Sequence, residues 1–356
     1  MGIKYKLTDS LKTKRDQGGI IMFEFNSFIE ILRKNPKTIV LPEGSDARVV
    51  EASSRLLNSN FLRPILIGEE EKIRKVAEDA GYNIDGAKII NPASYEKMDE
   101  MIDLFCEIRA SKGMTKEEAA KILMDPNYFG TMLIKMKEYD SMLGGAAHPV
   151  VDTIKPALEI IKTKPGNKMV SSCMVMIRPY ATGGSEIIVL GDCALNIEPT
   201  EDELVEIAYE TAKCAKKFGV EPRVAFLSYS TTGSAKGKSV GKMREAAKRM
   251  KEEHPEILSE GELQFDAAVS TKVAGRKCPD SELAGHMNTF IFPDLDAGNI
   301  AYKMSKYLGH FDAFGPILLG LDAPINVLSR ECTPAKIYSM SILTAAMAAL
   351  REEAED

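Results

Sequence analysis

The sequence predicts an α/β fold made of two α/β domains with mostly parallel sheets. Three observations carry the prediction. Short apolar runs alternate with amphipathic helical patterns along almost the whole chain, as strands and helices stacked in layers require. A length of 356 residues exceeds what one ordinary hydrophobic core serves. Two breaks divide the chain, the polar KTKPGN at 162–167 and Gly315-Pro316, and the segment after the second is too short to form a domain. The expectation is a first domain of residues 1–166 and 316–356, with 167–315 inserted into it as the second.

The N-terminal MGIKYKLTDSLKTKRDQGGIIM carries basic residues without the apolar core of a signal peptide. Residues 1–21 are expected to be a weakly ordered extension, with Met22 as a second start. KTIVLPEG and RPILIG read as strands, with the helix DARVVEASSRLLN between them. AKIIN (87–91) and YDSMLGGAA (139–147) continue the series. MVSSCMVMI (169–177) and EIIVLGD (186–192) flank the Gly-rich RPYATGGS and are expected to form a hairpin at a sheet edge. Thr200 and Glu203 form a capping box that opens a long helix. RVAFLSYS (223–230), FDAAVST (265–271) and TFIFPDL (289–295) are read as further strands. Thr333 as N-cap and Pro334 at the first position start a last helix, whose Ile337, Met340, Leu343, Ala346 and Met347 are expected to pack back on the first domain.

Composition excludes several classes of function. With 44% hydrophobic and 28% charged residues the chain is of soluble globular type, and its net charge of −6 is spread evenly. Neither nucleic acid nor an anionic membrane surface is expected as a partner. No apolar run reaches the roughly 18–20 residues of a membrane span. The cysteines (Cys106, Cys173, Cys193, Cys214, Cys278, Cys332) form no C-x-x-C pair and sit in apolar segments, which reads as buried free thiols in a reducing, cytoplasmic compartment. The four histidines are too dispersed for a metal site.

Five stretches carry candidate chemistry. SYSTTGSAKGKS (228–239) resembles a phosphate-binding P-loop, but only three residues separate Gly233 from Gly237 where that motif needs four, which excludes nucleotide hydrolysis. Its backbone amides remain candidates for phosphate, against the plain reading of a polar loop. LPEGSDAR (41–48) sets Glu43, Gly44 and Asp46 at the end of a strand, where α/β sheets bind ligands, while Ser45 serves as a helix cap. LGGAAHPVVDTIKP (143–156) offers small residues for close ligand approach, with His148 at its end and Asp152 and Lys155 on the following helix. Asp294 and Asp296 read as turn formers rather than magnesium ligands. NVLSRECTPAK (326–336) brings a hydroxyl, Ser329, and a guanidinium, Arg330, to a helix N-terminus, which suits an anion. Lys336 in the first turn has the wrong sign for that helix dipole.

The chain resembles the phosphate acetyltransferase (phosphotransacetylase) family. The residues that carry the resemblance are LPEG…D…R (41–48), F-x-E-x-R-x-x-KG (105–113), GGAAH…DT-x-KPAL-x-IIKT (144–163), FLSYSTTGSAK (226–236), GELQFDAA (261–268), AG-x-x-N-x-FIFPDL-x-x-GNIAYK (284–303) and GPIL-x-GL-x-x-PIN-x-LSR-x-C (315–332). They keep a consistent order from about residue 24 to the end. The resemblance implies an active site in the cleft between two domains, a homodimer, and reversible acetyl transfer between coenzyme A (CoA) and phosphate. CoA is then a substrate, and neither a metal nor a permanently bound cofactor is required. It further implies that Ser329 and Arg330 bind the reacting groups, that Arg109, Lys155 and Tyr307 lie on CoA, and that Gly145, His148, Ser230, Thr231, Gly233, Ser234 and Asn326 lie on phosphate or acyl phosphate.

Departures from the family pattern cluster at the same places. The acid usual seven positions after the serine is Lys336, and the glycine after the arginine is Glu331. Lys155 and Tyr307 stand where the family has arginines, Gly144 where it has serine, and Val327 where it has aspartate. In one reading the enzyme works with a rearranged charge set: Glu331 takes the thiol proton, and Lys336 holds a phosphate or pairs with Glu331. In the other the chain prefers propionyl or butyryl groups, or is a weakly active or inactive CoA-binding homologue with a regulatory role.

Overall fold

A computed structural model describes residues 25–180 and 184–355. The expected extension at 1–21, Met22, and residues 181–183 of the hairpin turn lie outside them. The first described helix, α1 (Asn26–Lys34), buries Phe28, Ile29 and Leu32. Each large apolar side chain removed from water in this way contributes roughly 1.5–3 kcal/mol.

Five strands form an all-parallel sheet: β1 (Lys37–Leu41), β2 (Leu62–Ile67), β3 (Lys88–Ile90), β4 (Ser141–Gly144) and, from the far end of the chain, β11 (Ile325–Val327). Their order is β11-β4-β1-β2-β3. The chain therefore builds outward from β1 to β3 and then returns to the other side of β1 with β4. That reversal makes a switch point between β1 and β4, where open α/β sheets hold their ligands. The helices between these strands are α2 (Ala47–Ser59), α3 (Glu70–Ala80), α4 (Met98–Ile108), α5 (Lys116–Ile122), α6 (Pro126–Lys135) and α7 (Val150–Pro156). Asp46, not Ser45, caps α2: its carboxylate accepts the Arg48 backbone N–H at 2.8 Å.

Six strands form the second sheet, β5 (Ser171–Pro179), β6 (Ser185–Gly191), β7 (Arg223–Leu227), β8 (Leu258–Leu263), β9 (Thr289–Ile291) and β10 (Asp312–Leu319), in the order β10-β5-β6-β9-β7-β8. β5 pairs antiparallel with both β6 and β10, and the remaining pairs are parallel. Its helices are α8 (Glu201–Lys217), α9 (Lys238–Glu253), α10 (Phe265–Val269), α11 (Thr271–Lys277) and α12 (Leu295–Tyr307). The capping box of Thr200 and Glu203 opens α8, and Asp294 caps α12. The fold class is thus the expected one, mixed α/β with mostly parallel sheets.

Three local readings are corrected. FDAAVST is helical, because its run of small residues buries only Ala267 and Ala268 while Phe265 stays exposed. The strand of that region is β8, where Glu260, Gly261 and Glu262 hide the alternation. The β5–β6 hairpin exists but is not an edge, since β10 pairs along the outer side of β5. β10 runs through Gly315-Pro316, so the expected second break falls inside a strand of the second sheet.

The last helix, α13 (Pro334–Glu355), packs on α1, α2, β1 and β4. Its cap is the expected one: the Lys336 N–H donates to Thr333 Oγ1 at 3.2 Å. Aromatic contacts tie the two sheets together, with Phe25 5.0 Å from Phe314 and Phe28 5.1 Å from Phe218 between ring centres. No helix among the described residues is long and apolar enough to cross a membrane.

Candidate active site

Three loops meet at the carboxyl ends of neighbouring strands β1, β4 and β11. Glu43, after β1, is buried and accepts the Gly145 N–H at 2.8 Å, with His148 Nδ1 3.2 Å from the same oxygen. Gly145 has φ +92°, and a Cβ there would lie 2.8 Å from the Leu328 carbonyl oxygen, so the turn after β4 needs glycine. Arg48 gathers the rest. Its guanidinium donates to the carbonyls of Arg330 (2.7 Å), Cys332 (3.1 Å) and Ala146 (2.6 Å), while Asp46 holds it from behind at 2.8 and 3.0 Å. Burial pushes the Asp46 carboxyl up, but its hydrogen bonds from Arg48 win and hold it below the usual range.

The turn so fixed closes with the Cys332 N–H on the Ser329 carbonyl at 2.8 Å. Ser329 and Arg330 are exposed at the wall of a cavity of about 820 Å³, which suits a cofactor-sized ligand. Among the described residues the Arg330 guanidinium has no hydrogen-bond or ion-pair partner. Across the cavity α12 presents Lys303, Lys306 and Tyr307. The Tyr307 hydroxyl donates to Glu331 Oε2 at 3.1 Å. Lys336 does not pair with Glu331. Its Nζ lies 3.4 Å from the centre of the Phe314 ring, on β10. Burial lowers its pKa from 10.5 to about 8, with Asp312 opposing the shift and Lys306 adding to it. Four cations thus face two carboxylates, Asp312 and Glu331, and the cavity carries a field that draws polyanions.

The family model for phosphate acetyl/butaryl transferases matches residues 24–345. The phosphate acetyltransferase of Bacillus subtilis (strain 168) is 48% identical over 310 residues, covering 87% of this chain and 94% of that protein. That of Staphylococcus aureus (strain Mu50) is 46% identical over 319 residues, covering 88% and 95%. A crystal structure of a phosphotransacetylase from Streptococcus pyogenes superposes with a TM-score of 0.87 at 46% identity, covering 92% of this chain and 98% of that one. The chain belongs to the phosphate acetyl/butaryl transferase family.

Of the residues expected at a transferase site, Ser329, Arg330, Glu331, Lys336 and Tyr307 come together at the cavity. Gly145 and His148 sit behind it on Glu43, and the adjoining Pro149 and Val150 reach the cavity wall. Others lie elsewhere. Arg109 donates to Glu159 at 3.2 Å, and Lys155 is exposed on α7. Asn326 is fully buried; it accepts the Leu318 N–H and donates to Thr344, so it joins β10 to α13 rather than facing a ligand.

The Gly/Ser-rich loop after β7 is already closed on an anion, the buried carboxylate of Glu262 on β8. That carboxylate accepts the Ser230 hydroxyl at 2.9 Å and the Gly233 N–H at 2.8 Å, and Arg244 at 2.8 and 3.0 Å. Thr231 and Ser234 bond to each other across the same turn. Burial raises the Glu262 carboxyl, yet Arg244, Gly233 and Ser230 bring it down to about 2. Sequence reasoning missed Arg48 as the residue that fixes the Ser329–Cys332 turn, and also Lys303 and Lys306. The signal for the last two is their spacing, one helical turn apart beside GNIAYK.

Proposed function

We propose that this chain is a phosphate acetyltransferase, moving an acetyl group reversibly between CoA and inorganic phosphate. The observation that carries the reading is the pair Ser329-Arg330. It stands at the wall of a cationic cavity, beyond the carboxyl end of β11 and fixed from below by Arg48, with the Arg330 guanidinium unpaired among the described residues. In the direction of acetyl-CoA formation, the Arg330 guanidinium neutralises the leaving phosphate and the Ser329 hydroxyl donates to the carbonyl oxygen as it gains charge. The CoA thiol, with an intrinsic pKa near 8.5, gives its proton to the neutral Lys336 amine, whose own pKa of about 8 makes the transfer nearly even. The thiolate then adds to the acetyl carbon, and the bond from that carbon to the phosphate oxygen breaks. Lys336 takes the role of base because its amine is matched to the thiol, while the Glu331 carboxylate is held across the cavity by the Tyr307 hydroxyl.

The two sheets are read as two domains, the second inserted in the first, because the chain enters the second sheet at Ser171 and leaves it at Leu319. A homodimer agrees with the exposed apolar Ile300 and Met304, one turn apart on α12, and Leu308 at its C-terminal cap, which continue the same four-residue spacing. Cytoplasmic localisation and the absence of a resident cofactor belong to the same proposal. The test is release of free thiol from acetyl-, propionyl- and butyryl-CoA with phosphate. Turnover with acetyl-CoA at the highest kcat/KM is expected. Preference for butyryl-CoA moves the substrate class, and no turnover together with CoA binding by calorimetry overturns the activity.

A further inference from the structure

A second cavity, of about 410 Å³, opens at the far end of α13 and β10 from the active site. Two segments of chain cross from one sheet to the other beside it. They are the predicted linker around Lys164 and the turn after β10, and they are joined to each other. Thr163 pairs with Leu321, the Lys164 N–H donates to the Gly320 carbonyl at 2.9 Å, and the Asp322 N–H to the Lys162 carbonyl at 3.0 Å. Lys162 and Gly320 both have positive φ, at 65° and 83°. The cavity therefore sits beside the double-stranded crossing between the sheets.

Its walls have a definite chemistry. Leu319 from β10, Phe218 at the end of α8, and Leu343 and Met347 from α13 make an apolar floor. Lys164, Lys213 and Lys217 stand at one side with a single carboxylate, Glu210, among them. Glu210 is shared by Lys164 at 3.0 Å and Lys213 at 3.3 Å, which leaves an excess of positive charge. Lys217 has no ion-pair partner among the described residues. A site with cations on one flank and hydrocarbon beneath complements a ligand of the opposite layout.

We propose that this cavity binds a small organic anion, a carboxylate, sulfonate or phosphate ester joined to an apolar body, and that its occupancy biases the angle between the sheets and hence CoA binding. The coupling is mechanical. α8 belongs to the second sheet and α13 to the first, so a body wedged between them moves one against the other. β10 and α13 then carry the movement to Asp312 and Lys336 in the active-site cavity.

The probe is 8-anilinonaphthalene-1-sulfonate, titrated by fluorescence into the full chain with CoA absent and saturating. One site with a Kd on the order of 10 μM is expected, retained when CoA fills the active site but shifted about five-fold or more, with a reciprocal shift in the Kd of CoA. Lys217→Glu is expected to weaken the dye about 10-fold, and Met347→Trp to remove its binding by filling the floor, with circular dichroism unchanged in both. Uncharged N-phenyl-1-naphthylamine is expected to bind at least about 10-fold more weakly. Displacement of the dye by CoA, parental binding in both variants, or equal affinity for the neutral dye overturns the site. A dye that binds without shifting CoA overturns the coupling.

Discussion

The Nζ of Lys336 lies 3.4 Å from the centre of the Phe314 ring, a half-buried amine set between β10 and the first turn of α13. Phe314 is itself backed by Phe25, at 5.0 Å, so the amine has a rigid apolar floor and cannot sink away from the cavity. With its pKa lowered to about 8, a usable share of the amine is neutral near neutral pH. The rate is expected to rise with pH as Lys336 loses its proton and to level off above about 8. Lys336→Arg keeps the charge and removes the acceptor; kcat is expected to fall by about 10²–10⁴, leaving only the thiol's own ionisation near 8.5 in the profile. Lys336→Asp restores an acid and is expected to recover part of the rate with the limb moved to lower pH. Unchanged pH–rate profiles in both variants exclude Lys336 as base.

The same burial has a cost in stability, with a definite sign. The folded pKa of Lys336 is about 8 and the unfolded value about 10.5, so between these values the unfolded chain binds the proton better. Stability therefore rises with pH across that window, and the full penalty applies below it. Lys336→Met is expected to stabilise the protein by about 1–3 kcal/mol at pH 7, while the gain fades as pH approaches 10.5. Urea unfolding at pH 7 and pH 10 measures this. A stabilised but slow variant is the signature of a residue kept for chemistry.

Arg330 is expected to act on the leaving phosphate alone. Arg330→Gln should lower kcat/KM by about 10²–10³, the usual effect of removing one donor to developing charge. Arg330→Lys should recover little, since a point charge cannot reproduce the planar fork. If thiol release from acetyl-CoA and phosphate is equally fast in Arg330→Gln, the assignment is wrong.

Arg48 is expected to act on the same chemistry without touching substrate. Three carbonyls, of Ala146, Arg330 and Cys332, depend on its fork, and lysine has the reach for only some of them. Arg48→Lys should lower kcat by about 10-fold or more through misplacement of Ser329 and Arg330, with KM for CoA changed less. Kinetics at constant fold, checked by circular dichroism, distinguish this from general destabilisation.

What the sequence disclosed follows from how local each signal is. KTIVL and RPILI are apolar runs bounded by Pro and Gly, and they appear as β1 and β2 within a residue or two. Ser329-Arg330 was legible because the N-cap Thr333 and Pro334 mark a helix start just beyond it. β8 was not, because its inward Glu262 is tolerated only through a loop some thirty positions earlier in sequence. Asn326 has the composition of a ligand-binding loop but lies in β11, where its amide is consumed by Leu318 and Thr344. The seat of Lys336 depends on Phe314, on a strand that pairs with β5, and no local pattern reports it.

Glu262 supplies the last prediction. Its carboxylate takes the place of an external phosphate in the loop after β7, bonded by Ser230, Gly233 and Arg244. Its folded pKa is depressed from 4.5 to about 2, so its stabilisation is complete above about 4.5 and is lost as pH falls toward 2. Glu262→Gln keeps the shape but loses the charge. It is expected to cost about 2–3 kcal/mol at pH 7, and less at each step of acidification below 4.5, as read by urea midpoints. Because the loop does not line the active-site cavity, kcat of the folded variant should match the parent, and added phosphate should not restore its stability. Rescue by phosphate would mean that the loop binds an external anion after all, with Glu262 merely standing in its place.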